Sequence, residues 1–318
     1  MSLLSADAVL RAAARISPLV RRTRVLRSDG LSRLAKGDIR LKLENEQITG
    51  SFKVRGAMNV LASLDSSARA RGVVASSAGN HGLGIAYAAK HFGVRATIFI
   101  PSAAPRVKRD GILALGATVD ETQPHYDAAM TAAKAFAAAE GSKFVNPCLG
   151  NDLLAGQGTV ALEILAECPG LHTLVVSVGG GGLLGGCASI IREHAPSVRI
   201  VGVQSENTAA MSKSLGAGRV VEIPNLSTLA DGLAGQIDEA ALAIGRAGLD
   251  EIVTVTEGEI GAGMLWLLDQ HGLTVEGAGA VGVASILAGK ARPSGETVIV
   301  ISGGNVDASR LSALRSVI

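Results

Sequence analysis

Short apolar runs that break off at glycine, proline or a polar residue, and then give way to helical spacing, recur along this chain. That alternation is what most limits its possible folds. Gly72–Ser77 (GVVASS), Arg95–Ile100 (RATIFI, closed by Pro101), Leu171–Val178 (LHTLVVSV), Arg199–Gln204 (RIVGVQ), Glu251–Val255 (EIVTV) and Thr297–Ser302 (TVIVIS) are such runs. They have strand length and are rich in β-branched residues, so strands are expected there, with Ile39–Glu44 and Ala117–Val119 added. Helical spacing is found over Lys53–Leu64, Pro105–Leu115, Tyr126–Glu140, Gly158–Glu167, Asp238–Gly248, Glu257–Gln270 and Ala278–Leu287, and after the turns at Gly82 and Gly182 as far as about His91 and His194. Alternation of this kind predicts an α/β fold of open, twisted, mainly parallel sheets flanked by helices, with right-handed crossovers.

Residues 72–146 hold one set of strand–helix units, and after Asn146-Pro147 the pattern resumes on a larger scale. The expected organisation is a small domain of 72–146 and a discontinuous large domain of 1–71 and 147–318. No Pro-rich linker or repeat separates them, so two intimate lobes are expected, with any ligand lying between them. A hydrophobic content of 47% against 18% charged residues is consistent with a substantial core.

Several function classes are disfavoured. A formal net charge of +2, with no basic stripe interleaved with aromatics, gives no reason to expect nucleic acid or an anionic membrane surface as partner. No apolar run approaches the roughly 20 residues that span a bilayer. Cys148, Cys168 and Cys187 are odd in number and form no short metal-type pair, as expected of reduced thiols in a cytoplasmic protein. Met1 to Ile16 reads as an amphipathic first helix and not as a signal peptide.

Four segments carry chemical potential. Gly179-Gly180-Gly181-Gly182, between a strand and a helix, lets consecutive backbone N–H groups converge on an anion, and no following lysine suggests a nucleoside triphosphate. Ser77-Ala78-Gly79-Asn80-His81-Gly82 offers amides, a hydroxyl and a carboxamide at a helix start. That set suits a carboxylate and equally a simple N-cap, and His81 by itself reads as structural. Ser302-Gly303-Gly304-Asn305 ends the last strand, either as a close backbone approach to a flat ligand or as an ordinary turn. Lys53, just after Gly50 in Thr49-Gly50-Ser51-Phe52-Lys53, starts a helix.

Together these segments resemble the fold type II pyridoxal-phosphate enzymes of the threonine dehydratase and serine racemase family. The matching stretches are LKLENEQITGSFKVRGA (41–57), SAGNHG (77–82), AGQGTVALEI (155–164), VGGGGL (178–183), LADGLA (229–234) and SGGNVD (302–307), in the family's order and over nearly the whole chain. The resemblance implies pyridoxal 5'-phosphate as cofactor, with Lys53 as its Schiff-base lysine and the catalytic base. It implies that Asn80 contacts the ring hydroxyl, that Gly179, Gly180, Gly181, Gly182 and Leu183 cradle the phosphate, and that Ser302 faces the pyridine nitrogen. It places the substrate carboxylate on the turn of Ser77, Ala78, Gly79, Asn80 and His81. Glu276 matches a glutamate of the family and receives no role. The large domain would hold the cofactor, and the small one would carry the asparagine turn.

The resemblance implies a lyase that removes the β-hydroxyl of a 3-hydroxy amino acid, L-threonine or L-serine, giving a 2-oxo acid and ammonia. The alternatives are an amino-acid racemase with side elimination, a dehydratase for 3-hydroxyaspartate or an arylserine, and a non-catalytic binding homologue. Serine racemases carry a serine where this chain has Ala78, which has no proton to give, and this favours the lyase. Gln204 and Ala210 stand where the racemases' acidic metal ligands are expected, so no divalent metal is predicted. A distal carboxylate would need a cation and an aryl group a roomier pocket; the sequence places neither. Family habit implies a homodimer acting on a small amino acid, and the absence of a signal or membrane-spanning run makes a cytoplasmic location the default expectation.

Overall fold

In the computed structural model, residues 3–104, 106–224 and 226–315 are described. Among the described residues, ten strands form two sheets: β1 (Val25–Arg27), β2 (Asp38–Leu43), β3 (Val73–Ser76), β4 (Ala96–Pro101), β5 (Thr118–Gln123), β6 (Lys143–Phe144), β7 (Leu171–Ser177), β8 (Arg199–Ser205), β9 (Glu251–Val255) and β10 (Glu296–Ile301). The larger sheet runs β1-β2-β10-β7-β8-β9 and the smaller β5-β4-β3-β6. All pairings are parallel except β1 with β2, where Val25 faces Lys42 across an antiparallel edge. The sheets are thus mainly parallel, as expected, and the antiparallel edge strand β1, three residues long, is too short to show any alternation in sequence.

The central strands are buried on both faces, and successive residues supply opposite cores. Leu174, Val176, Val298 and Val300 point into one cluster with helices Ala6–Ile16, Asn151–Glu167, Gly182–His194 and Glu239–Gly248. Val175, Ile299 and Ile301 point into another, with helices Asp29–Ala35, Glu257–His271 and Gly277–Leu287. This two-sided burial is why these strands read as continuous apolar runs. The smaller sheet packs Val73, Ala75, Ile98 and Ile100 against helices Lys53–Ala62 and Asn80–Phe92, and Val74 and Phe99 against the alanines of helix Tyr126–Glu140. Helix Lys53–Ala62 thus shares a core with β3, across the expected boundary at residue 71. Among the described residues no helix is long and apolar enough to cross a membrane.

Most element boundaries fall within two residues of expectation, and the departures have causes. Helix Asn151–Glu167 begins seven residues before the expected Gly158, because its glycines conceal it. A Cβ on Gly156 would lie 2.6 Å from the Arg55 carbonyl, and one on Gly158 2.6 Å from that of Gly186, so close helix crossings select against side chains there. β5 continues to Gln123 as a polar edge strand with no apolar pattern to betray it. Helices Asp29–Ala35, Ser66–Arg71, Ala210–Ala217 and Ala308–Arg315 are too short for helical periodicity to emerge. Pro105, the expected first residue of the helix that runs over Arg106–Ala114, lies outside the described residues.

Candidate active site

Between the two sheets opens a cleft of about 900 Å³, and every expected site residue lines it: Lys53, the turn Ser77–His81, Gly179 to Leu183, and Ser302. Glu276 lines it too. Four segments far apart in sequence meet there because β3, β7 and β10 all end at the cleft, as ligand-binding strands do in open α/β sheets.

Lys53 is set by the turn before it. Gly50 has φ +73°, and a Cβ there would lie 2.3 Å from Asn305 Oδ1, so only glycine lets the chain turn. Ser51 then bridges Gly303, and the Phe52 N–H donates to the Ser302 carbonyl at 3.1 Å. Lys53 opens its helix with Nζ in the cleft, donating to the Pro147 carbonyl at 2.7 Å. Two residues on, Arg55 turns the opposite way into a closed ionic network. Its guanidinium donates to both oxygens of Glu44 at 2.8 Å, to Glu163 at 2.7 and 3.0 Å and to Thr159 at 3.2 Å. Lys42 donates to Glu163 at 2.7 Å, and Thr23 to Glu44 at 2.6 Å. Arg55, Glu44 and Lys42 are fully buried. Arg55 holds the Glu44 carboxyl below the usual carboxylate range, overcoming the burial that alone would raise it.

The glycine loop after β7 is walled on two sides. A Cβ on Gly180 would lie 2.6 Å from Cys148 Sγ, and one on Gly179 3.1 Å from the Leu233 Cα. Gly181 has φ +88° and caps helix Gly182–His194 without any side-chain bond, so the first N–H groups of that helix have no side-chain cap. The turn after β3 repeats the arrangement. Ser77 Oγ accepts from the Gly79 N–H at 3.1 Å and does not cap helix Asn80–Phe92, whose N-terminus also lacks a side-chain cap. The simple N-cap alternative for this turn is thereby excluded.

Asn80 is held at both ends of its carboxamide. It donates to Glu276 Oε1 at 2.7 Å and accepts from Asn305 Nδ2 at 2.7 Å, and Asn305 donates also to the Thr49 carbonyl at 2.8 Å. One proton on Asn80 Nδ2 is left for the cleft. Burial, then Asp231, push the Glu276 carboxyl up to about 7, against the Asn80 bond and the positive charges of Lys108 and Lys53. Lys108 pairs with Asp231 at 3.0 Å across the cleft. His81 is buried, and its Nε2 donates to the Val145 carbonyl at 3.0 Å; burial and the nearby Lys53 charge bring its pKa down to about 3. The imidazole is therefore neutral, and its buried Nδ1 has no hydrogen-bond partner. Ser302 is buried at the end of β10, accepting from Ser177 Oγ at 3.2 Å and donating to the Ala278 carbonyl at 3.3 Å.

Sequence reading left Glu276 without a role and passed over Asn305, Ser177 and the Arg55 network. Asn305 lay in view within SGGN, but nothing in spacing links residues 225 positions apart. Charged residues scattered over 42, 44, 55 and 163 give no local signal either.

The donor set fits a flat carbonyl compound bearing a phosphate. It offers one amine, two uncapped helix N-termini for anions, an amide proton and a neutral hydroxyl, with no side chain on the glycine loop to obstruct it. The comparisons agree. The profile of the pyridoxal-phosphate-dependent enzyme family matches residues 16–303. The chain is similar to the L-threonine ammonia-lyase of Thermotoga maritima, 43% identical over 93% of this chain and 74% of that protein. It is 38% identical to a catabolic L-threonine dehydratase of Staphylococcus aureus, over 98% of this chain and 92% of that one. Its fold superposes on maize serine racemase with a TM-score of 0.93 and 31% identity, covering 99% of this chain and 97% of the other. The chain belongs to the pyridoxal-phosphate-dependent enzymes, in the fold type II branch.

Proposed function

We propose that the chain is a threonine ammonia-lyase type enzyme, removing the β-hydroxyl of L-threonine or L-serine to give a 2-oxo acid and ammonia, with Lys53 as cofactor anchor and base. One observation carries the reading. The Lys53 amine, two uncapped helix N-termini and the Ser302 hydroxyl converge on one cleft, in a chain whose relatives are threonine ammonia-lyases and dehydratases.

Bound pyridoxal phosphate supplies a carbonyl that takes up the substrate amine and an electron sink next to Cα. The amides from Gly179 to Leu183 and their helix N-terminus would hold its phosphate. The spare Asn80 amide proton would serve the ring oxygen, and the Ser302 hydroxyl the ring nitrogen. The backbone and hydroxyl of Ser77, Ala78, Gly79, Asn80 and His81 bind the substrate carboxylate. Lys53, as a free neutral amine beside the substrate, would withdraw the Cα proton. Pro147, whose carbonyl already accepts from Nζ at 2.7 Å, holds the resulting ammonium in place. A neutral Ser302 hydroxyl does not fix a proton on the ring nitrogen as a carboxylate would. Negative charge at Cα would therefore be relieved by breaking the Cβ–O bond, with the proton held on the Lys53 ammonium passing to the departing oxygen so that it leaves as water. The released enamine hydrolyses to 2-oxo acid and ammonia.

Ala78 lines the cleft and carries no proton, which supports elimination over racemisation. Besides Lys53, Lys108 also lines the cleft, and Asp231 pairs with it at 3.0 Å, which supports a monocarboxylic substrate. The same reading includes a large cofactor-holding domain of 1–71 and 147–318, a small domain of 72–146, a cytoplasmic location and a homodimer. A panel of 3-hydroxy amino acids tests the function, with 2-oxo acid, ammonia and enantiomer interconversion measured for each. Equal release of 2-oxo acid and ammonia from L-threonine or L-serine is expected, with 3-hydroxyaspartate and phenylserine at least tenfold slower. Interconversion outrunning release would favour the racemase.

A further inference from the structure

At the carboxyl end of the large sheet two hydroxyls lie side by side. β7 and β10 pair in parallel with Val175 opposite Ile299, so Ser177 at the end of β7 arrives beside Ser302 just past the end of β10. Both side chains are buried, at 6% and 3% exposure, and both line the cleft. Their oxygens are 3.2 Å apart. Ser302 has one proton, and it goes to the Ala278 carbonyl at 3.3 Å. The proton between the two serines must therefore come from Ser177.

We propose that Ser177 is a positioning residue that fixes the direction in which Ser302 donates, and so keeps the ring nitrogen of the bound cofactor unprotonated. The inference rests on the placement of that nitrogen at Ser302. Both contacts are longer than the usual 2.7–2.8 Å for hydroxyl bonds. The Ser302 proton is thus weakly held by Ala278 and is free to turn to a ring nitrogen. When it does, Ser177 still donates to Ser302 and occupies one of its lone pairs. Ser302 then presents its proton to the nitrogen, with one lone pair fewer to accept a proton from it. Without Ser177 the Ser302 proton can stay on Ala278 while a lone pair faces the ring, an arrangement that suits a protonated nitrogen. Ser177 in this way limits how much negative charge the ring draws from Cα, and favours prompt loss of the β-hydroxyl.

The test uses the holoenzyme loaded with pyridoxal phosphate labelled with ¹⁵N in the ring, in wild type, Ser177→Thr, Ser177→Val, Ser177→Ala and Ser302→Ala. Thr and Val have nearly the same shape and differ in the hydroxyl, and either suits a strand end. The nitrogen shift is followed from mildly acidic to mildly alkaline pH. Wild type and Ser177→Thr are expected to hold the neutral-pyridine shift. Ser177→Val and Ser177→Ala should move toward the protonated shift, with a nitrogen pKa about one unit higher, a tenfold change in the protonated fraction. Identical shifts in Thr and Val variants, or a protonated nitrogen in wild type, overturn the inference. A shift indifferent to Ser302→Ala instead removes the placement on which it stands. Failure of wild type to release 2-oxo acid, with the shifts as predicted, would defeat the proposed reaction and leave the Ser177 inference standing.

Discussion

Replacing Arg55 by Met should loosen the base of the Lys53 helix, and the size of the effect follows from its partners. The wild-type network balances two cations, Arg55 and Lys42, against two carboxylates, Glu44 and Glu163, three of the four fully buried. Arg55→Met removes one positive charge and strips Glu44 of two of its three charge-assisted or hydroxyl donors, leaving Thr23. A buried charge deprived of its partner costs about 3–5 kcal/mol. At about 2–3 °C per kcal/mol for a chain of this size, the melting temperature should fall by roughly 6–15 °C. A second change, Glu44→Gln, restores neutrality while keeping an acceptor for Thr23 and leaving Lys42 with Glu163. The double variant should recover at least half of the loss. Thermal melting by circular dichroism, with cofactor saturating, measures both. A single variant that melts like wild type, or a double variant no better than the single, would refute this account of the network. Arg55 sits within the first turn of the Lys53 helix, so the single variant should also bind cofactor more weakly than wild type.

Glu276 and the glycine loop yield two further tests. The Glu276 pKa is about 7 in the folded chain and near 4.5 when unfolded, so between those values the native state binds the extra proton. Stability contributed by protonated Glu276 is therefore full below about pH 4.5 and lost as pH rises through about 7, a swing of about 3 kcal/mol. Glu276→Gln keeps an acceptor for Asn80. Without cofactor it should match wild type at acidic pH and be the more stable of the two at alkaline pH; a pH-independent difference would contradict the burial argument. Gly180→Ala puts a Cβ 2.6 Å from Cys148 Sγ. Cofactor affinity by fluorescence titration should drop at least tenfold and return in part with Cys148→Gly, whereas unchanged affinity would take the loop out of the phosphate site.

What could be read from the sequence and what could not divide along physical lines. Runs such as VVSV and TVIVI announce strands buried on both faces, since each successive side chain enters a core. Gly179–Gly182 and Asn80 announce themselves because strand–turn–helix junctions place backbone donors where ligands bind. The helix from Asn151 was half hidden, because Gly156 and Gly158 serve helix crossings and dilute its apolar pattern. Partnerships stayed invisible when they joined distant residues. Glu276 with Asn80 and Lys108 with Asp231 exist because two sheets end at one cleft, and Ser177 with Ser302 and Asn305 with Thr49 because segments distant in sequence meet at the end of the large sheet. The role of Glu276 was open in sequence for that reason, and the bond to Asn80 now gives it one, as the acceptor that orients the asparagine.

The central claim is that Lys53 carries the cofactor. Reducing the holoenzyme with borohydride fixes a lysine-bound carbonyl as a stable amine, and peptide mapping by mass spectrometry then locates it. The expected result is one phosphopyridoxyl group on Lys53, and, in Lys53→Ala, no such group, no visible absorbance from a lysine-bound cofactor and no 2-oxo acid from L-threonine. A phosphopyridoxyl group on another lysine, or a Lys53→Ala variant that keeps the visible absorbance, would contradict it.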